Sequence, residues 1–159
     1  MTAVPTIYTV FPKPQRASWP ARLTAGCIAV ACLAVLLIAA WLDPASDGTG
    51  THIALGLNAC AFKTGTGLPC ISCGMTTSFS LFVRGNLLAS LWVQPAGTGL
   101  ALAACAAVWL GGYTAVTGRP VDELLRRANL PRLVLVFIGF LIVAWAWKLM
   151  LTVTGHDGW

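Results

Sequence analysis

The stretch Leu23–Leu42, LTAGCIAVACLAVLLIAAWL, contains twenty residues and no charged side chain. At about 1.5 Å per residue, a helix of this length crosses a hydrocarbon core of about 30 Å. A cleaved signal peptide is the competing interpretation, but the apolar run exceeds the usual length and no clear cleavage site precedes Asp43. The run therefore predicts a membrane-spanning helix.

The composition of the whole chain supports a membrane protein. Of its 159 residues, 57% are hydrophobic and 9% are charged, whereas about 25% are charged in an ordinary soluble domain. A net charge of +5 raises the alternative of a nucleic-acid partner. The basic residues stand in short segments between apolar runs and form no stripe, so no nucleic-acid partner is predicted.

Two more apolar runs complete a set of three. The second covers Ala96–Val116, and the third covers Leu133–Leu151 with Lys148 near its end, where a long side chain can reach the lipid headgroups. With the first span at about 23–42, we predict an all-α polytopic membrane protein with three transmembrane helices. A stripe of small residues in the second run either lets another helix approach closely or arises by chance; it consists of Gly99, Ala103, Ala107 and Gly111.

The charged segments predict the orientation of the chain. Residues 1–21 form a basic, proline-punctuated tail that is expected to be disordered, and residues 22–159 form one membrane domain. The 117–132 loop is rich in arginine, and the positive-inside rule places it and the tail on the cytoplasmic side of an inner or plasma membrane. The C-terminus and the connection between the first two spans then lie on the extracytoplasmic side, here called the outer side.

This connection is expected to hold two short helices. Residues 74–94 are long and apolar enough for a fourth span, but Arg84 near their middle costs about 2.5–3.5 kcal/mol inside a bilayer. A fourth span would also place the arginines of the 117–132 loop outside. We therefore predict two short helices, interfacial or re-entrant, that break at Arg84–Gly85–Asn86 and end before Pro95, with Asn86 as the cap of the second.

Three cysteines in this connection are candidates for chemistry. In GLPCISCGMTTSF, Gly67–Phe79, a glycine–proline turn brings Cys70 and Cys73 to the start of the first short helix, and Cys60 lies upstream. On an oxidising outer face, two of the three would form a disulfide, and a Cys60–Cys70 pair is geometrically easier than a strained Cys70–Cys73 bridge. Alternatively, three thiolates would bind zinc or copper, with His52 or His156 as an accessory ligand. Thioredoxin-like redox chemistry is the third interpretation, but its βαβ context is missing.

The same region resembles a known family. The run Cys60–Phe62, then TGLPCISCGMT, then Arg84–Asn86 is similar to the C-P-F … TGLPCPxCGMTR … RGD pattern of bacterial domain-of-unknown-function family 2752. The resemblance covers about residues 60–95 and implies a bacterial integral membrane protein with no established activity. This chain departs from the pattern at Ala61, Ile71, Ser72, Thr77 and Gln94. The positions expected to shape the motif are Gly67, Pro69, Gly74, Thr76, Arg84, Gly85, Asn86 and Pro95.

The sequence contains no recognisable catalytic constellation. It has no P-loop, no dinucleotide fingerprint and no zinc-protease motif, and its three spans hold no acidic residue or histidine. It therefore predicts a non-enzymatic accessory or interaction subunit without a cofactor, whose partners are the lipid bilayer and another membrane protein or a second copy. The alternative is a thiol-based metal-binding or redox membrane protein that uses the three cysteines.

Overall fold

The computed structural model describes residues 16–119 and 129–159, and these residues form helices and loops without any strand. The predicted disordered tail up to residue 15 and the central part of the arginine-rich loop lie outside the described residues. The elements are α1 (Trp19–Trp41), a 3-10 helix (Thr51–Leu55), α2 (Ala61–Thr66), α3 (Met75–Val83), α4 (Leu87–Val93), α5 (Pro95–Thr117) and α6 (Leu130–Val153).

Three of these helices, α1, α5 and α6, are long and apolar enough to cross a membrane. The predicted all-α fold with three spans is therefore confirmed, as are the short helices between the first two spans. Each long helix has a proline at its first or second position. Proline suits this place because the first N–H groups of a helix have no partner within the helix.

The helices α1 and α5 pack closely through small residues. A Cβ added to Gly111 would lie 2.7 Å from the carbonyl oxygen of Ala25 and 3.2 Å from the Cβ of Ala29. Nearby, Arg22 donates from Nε and Nη2 to the carbonyl oxygen of Ala115 at 3.0 and 2.7 Å. This guanidinium places a positive charge at the C-terminus of α5, where the helix dipole favours it.

The predicted stripe of small residues on α5 faces two different helices. Gly111 lies against α1, whereas a Cβ on Gly99 would lie 3.2 Å from the ring of Phe140 on α6. Between them, Ala103 is exposed and Ala107 is half-buried. A helix has 3.6 residues per turn, so a four-residue stripe winds slowly around its axis. The stripe therefore belongs to no single helix interface.

Gly111→Ala is expected to destabilise the protein by about 1–3 kcal/mol through overpacking. The added methyl group would meet a backbone oxygen of α1, which cannot move without shifting the helix. Its neighbour provides the control, since a Cβ at Gly112 meets nothing within 4 Å and Gly112→Ala should gain up to about 1 kcal/mol in helix propensity. Unfolding in detergent mixtures measures both, and equal effects would contradict the close packing of α1 and α5.

A hairpin formed by α3 and α4 packs its hydroxyl groups against the long helices. The Ser78 Oγ lies 2.9 Å from the Ser90 Oγ and 3.1 Å from the Thr98 Oγ1, and all three residues are buried. The Ser80 hydroxyl donates to the carbonyl oxygen of Leu42 at the end of α1. Such hydrogen bonds hold helices together where apolar contact gives no preference for protein over lipid.

The turn of this hairpin follows the sequence prediction. α3 ends before Arg84 and α4 starts after Asn86, whose side chain accepts a hydrogen bond from the Ala89 N–H at 3.3 Å. The Arg84 side chain donates from Nη2 to Asp43 Oδ1 at 2.9 Å and to the Ala40 carbonyl oxygen at 3.4 Å. Arg84 is therefore a cation at the C-terminus of α1, where it complements the helix dipole.

Lys148 contradicts the expectation that it reaches the headgroups, because its side chain is completely buried. Its Nζ lies 3.3 Å from Asp157 Oδ1, which also accepts a hydrogen bond from the Thr152 hydroxyl at 2.8 Å. Residues 155–159, here called the C-terminal strap, fold back over the loop after α1, where Trp159 Nε1 donates to the Ala45 carbonyl oxygen at 2.9 Å. The strap covers Lys148, and a pattern of apolar runs does not predict such a return.

Candidate functional site: a cluster of three thiols

The cysteines Cys60, Cys70 and Cys73 form one cluster, since their Sγ atoms all lie within 4.8 Å of one another. Cys60 stands directly before α2, and the other two belong to the turn that leads into α3. All three are free thiols, and the sulfur atoms of Cys70 and Cys73 are 3.1 Å apart. Disulfide sulfurs are about 2.05 Å apart, so the pair is close but not bonded.

Gly74 makes the cysteine turn possible. It has a φ of 86° and ends the turn at the N-cap of α3, a backbone conformation that glycine adopts without steric cost. A Cβ on Gly74 would also lie 2.9 Å from the carbonyl oxygen of Gly48. Within the turn, the Cys73 N–H donates to the Cys70 carbonyl oxygen at 3.1 Å. In return, the Cys70 N–H donates to the Cys73 sulfur at 3.2 Å, and these two bonds keep the two cysteines together.

Two side chains from distant parts of the sequence fix the turn in place. Trp145 of α6 donates from Nε1 to the carbonyl oxygen of Pro69 at 3.1 Å. Gln94, which is completely buried before α5, donates from Nε2 to the carbonyl oxygen of Ile71 at 3.0 Å. Neither hydrogen bond was predicted from the sequence, because a glutamine before a helix-initiating proline and a tryptophan inside an apolar run are weak local signals.

The two cysteines of the turn differ in acidity. Burial raises the pKa of Cys70, but hydrogen bonds from Ser72, Cys73 and Cys60 outweigh it and lower this pKa to about 7. Burial, together with the contact to Cys70, raises the pKa of Cys73 to about 12. Cys70 is also more exposed than Cys73. The first thiolate of the cluster therefore forms on Cys70.

In reduced, metal-free protein, alkylation of Cys70 by iodoacetamide should show its rate inflection near pH 7. An ordinary cysteine shows it near its pKa of about 8.5, because only the thiolate reacts. The lowered pKa therefore gives faster alkylation of Cys70 at neutral pH, while Cys73 should stay unreactive there. Ser72→Ala removes one hydrogen bond to the Cys70 sulfur and should move the inflection to higher pH. Peptide mass spectrometry resolves the two cysteines. An inflection for Cys70 near the ordinary pKa of about 8.5 would contradict the hydrogen bonds to its sulfur.

His52 lies beside the cluster without joining it. It lines a cavity of about 330 Å³ together with Cys60 and Lys63. Its Nε2 is 3.2 Å from the carbonyl oxygen of Asn58. Among the described residues, the group of convergent ligand atoms consists of the three sulfurs and does not include this ring.

The remaining motif residues shape the surroundings of the cluster. Gly67 ends α2 with a φ of 72°, and Gly85 turns the hairpin with a φ of 80°. Pro69 is buried, Thr76 is half-buried in the first turn of α3, and Pro95 is the first residue of α5. These positions set the course of the backbone, while the sulfurs supply the reactive atoms.

The fold and this cluster define a small polytopic helical membrane protein with three thiols beside one end of its spans. The model of a family described as "Protein of unknown function (DUF2752)" matches residues 60–109. The resemblance predicted from the cysteine motif is therefore confirmed over this segment, which runs from Cys60 through the hairpin into α5. No curated protein and no solved structure matches the chain.

Proposed function

We propose that this membrane protein binds one soft metal ion through Cys60, Cys70 and Cys73. The observation that supports the proposal is the convergence of three sulfurs within 4.8 Å from two separate segments of the chain. Thiolates are the ligands that Cu(I) and Zn(II) prefer among protein side chains. Structural zinc usually takes four protein ligands, so a set of three sulfurs favours Cu(I).

The cluster needs little rearrangement to hold such an ion. Metal–sulfur bonds of about 2.3 Å separate neighbouring sulfurs by about 3.8 Å in a tetrahedral site and by about 4.0 Å in a trigonal site of three sulfurs. The Cys70 and Cys73 sulfurs, now 3.1 Å apart, would therefore have to move apart by about 0.7–0.9 Å. Cys70 is exposed enough to capture the ion first, and the buried Cys73 would complete the site.

The test is metal analysis of the whole chain, purified in detergent under reducing, anaerobic conditions and loaded with Cu(I) or Zn(II). One tightly held ion per chain is expected, and Cys60→Ser, Cys70→Ser and Cys73→Ser should each abolish it. Cys105→Ser is the matched control, since Cys105 lies within α5 outside the cluster. Stoichiometric binding that survives Cys70→Ser, or no binding by the wild-type chain, would refute the proposal.

A disulfide is the second candidate, and the short distance between the Cys70 and Cys73 sulfurs supports it. Thiol counting on protein purified without reductant separates the two functions. A metal site leaves three thiols that become reactive on chelation, whereas a disulfide consumes two thiols that only a reductant restores. The non-enzymatic accessory role inferred from the sequence stays a prediction.

We further propose that the cluster lies on the extracytoplasmic side of the membrane. The support is the charge pattern, because arginine-rich segments favour the cytoplasmic side. Alkaline phosphatase fused after Trp159 would be active only if the C-terminus is exported. An inactive phosphatase fusion, with an active β-galactosidase fusion at the same site, would reverse the assignment.

A further inference from the structure

The segment around the thiols carries almost no charge. Lys63 is the only charged residue between positions 53 and 71. Its Nζ donates to the Thr49 hydroxyl at 2.6 Å, and the residue is half-buried. Water-exposed loops are normally rich in charged residues, so a single charge in this segment favours contact with lipid.

The same segment exposes large apolar side chains around the cluster. Phe62 follows Cys60 by two positions, and Ile71 directly follows Cys70. Both side chains are about half exposed, at 48% and 49%. We call the exposed apolar residues of this segment the apolar rim; they are Ile53, Leu55, Leu57, Phe62, Leu68 and Ile71.

The cysteine turn packs beside α6 and not beyond its end. Trp145, which binds the carbonyl oxygen of Pro69, lies eight residues before the last residue of α6, a distance of about 12 Å along the helix. Trp147 likewise donates from Nε1 to the carbonyl oxygen of Trp92 at 2.9 Å. The turn and the hairpin therefore lie alongside the last turns of an apolar span.

We propose that residues 53–71 are seated in the bilayer leaflet on the side of the thiol cluster, with the apolar rim among the lipid chains and headgroups. Three observations favour lipid as the partner of this segment. It lies alongside α6, it carries little charge, and it exposes apolar side chains. Burial of such side chains in the interface is the usual source of affinity for membrane-surface segments. Reactants of the thiol cluster then approach along the membrane surface. The inference goes beyond the metal-binding proposal and does not depend on it.

The test places a photoreactive residue on the apolar rim. Phe62 is replaced by p-benzoylphenylalanine in the full chain, which is reconstituted into phosphatidylcholine–phosphatidylglycerol vesicles and irradiated. A mass increase of one phospholipid is expected, in a yield close to that at Leu135, which is 70% exposed within the α6 span. The same residue at His156, exposed in the C-terminal strap, is the aqueous reference.

Two results would overturn the proposal. One is a lipid adduct at Phe62 in no higher yield than at His156. The other is a cross-link to a protein instead of a lipid when the labelled chain is irradiated in native membranes. Ile71 serves as a second labelling position if the Phe62 variant does not fold. Repeating the experiment in Cys60→Ser keeps it independent of metal binding.

Discussion

Asp157→Asn is expected to lower the free energy of unfolding by about 3 kcal/mol, because it leaves the Lys148 ammonium buried without a counter-charge. Breaking a buried ion pair from one side typically costs about 3–5 kcal/mol. The lower end applies here, since the Asp157 side chain keeps 22% of its surface exposed. The Nζ of Lys148 makes no hydrogen bond within the described residues, so the carboxylate is its principal partner.

Asp43→Asn is the matched control for this substitution. It makes the same chemical change in the ion pair with Arg84, where the Asp43 side chain is 95% exposed. Exposed ion pairs contribute about 0–1 kcal/mol, so this variant should be nearly neutral. Unfolding followed by circular dichroism in detergent mixtures measures both variants. Equal stabilities of the two variants would contradict the burial of Lys148.

A double substitution separates the buried charge from the lost contact. Lys148→Met combined with Asp157→Asn replaces the ammonium with an apolar side chain, and replacing both charges of a buried pair is often neutral or stabilising. The double variant should therefore recover most of the stability that Asp157→Asn loses. If it is as unstable as the single variant, the loss comes from the strap and not from the charge.

Gly48→Ala should destabilise the protein by about 3 kcal/mol and detach the C-terminal strap. The backbone of Gly48 has a φ of 68°, and an added Cβ would lie 2.1 Å from the carbonyl oxygen of Asp157. The left-handed conformation alone costs an alanine about 1–2 kcal/mol. Overpacking against the strap adds about 1–3 kcal/mol, because a backbone oxygen so close must move away.

Gly67→Ala is the control that measures the cost of the left-handed conformation without the overpacking. Gly67 has a similar φ of 72°, but an added Cβ meets nothing within 4 Å. The free energy of unfolding of Gly67→Ala should therefore fall only by the cost of the left-handed conformation, about 1–2 kcal/mol. Carboxypeptidase digestion measures whether the strap is attached, because the enzyme releases Trp159 faster from a detached strap. Fast release in Gly48→Ala alone is expected, and equal release in both variants would count against the contact.

The membrane spans could be predicted because they depend on length and apolarity within one segment. Arg84–Asn86 likewise revealed the break between α3 and α4, since a charge, a glycine and a cap are local signals. The meeting of Cys60 with Cys70 was one of several pairings that the spacing allowed. The turn that carries Cys70 is held by Gln94, the residue before α5, and by Trp145 of α6, and both are distant in sequence.

Lys148 was predicted wrongly for the same reason. A lysine near the end of an apolar run usually extends to the headgroups, and nothing near it in sequence predicts otherwise. Its burial depends on the strap after α6 and on the space that Gly48 leaves beside it. The burial of Lys148 thus depends on contacts between segments far apart in sequence, and hydrophobic periodicity does not predict such contacts.

The hydroxyl groups between the hairpin and α5 also set an order of assembly. Ser78 and Ser90 belong to the hairpin, but the Thr98 hydroxyl that both contact is made later, with the second long span. Within the hairpin, the Ser78 and Ser90 hydroxyls already donate to each other's carbonyl oxygens, at 3.1 and 2.9 Å, so both are satisfied before that span enters the bilayer, where lipid chains offer no partner. We therefore expect the hairpin to form first and to bind the Thr98 hydroxyl only when α5 inserts, which makes its packing against the second span a late step of biogenesis.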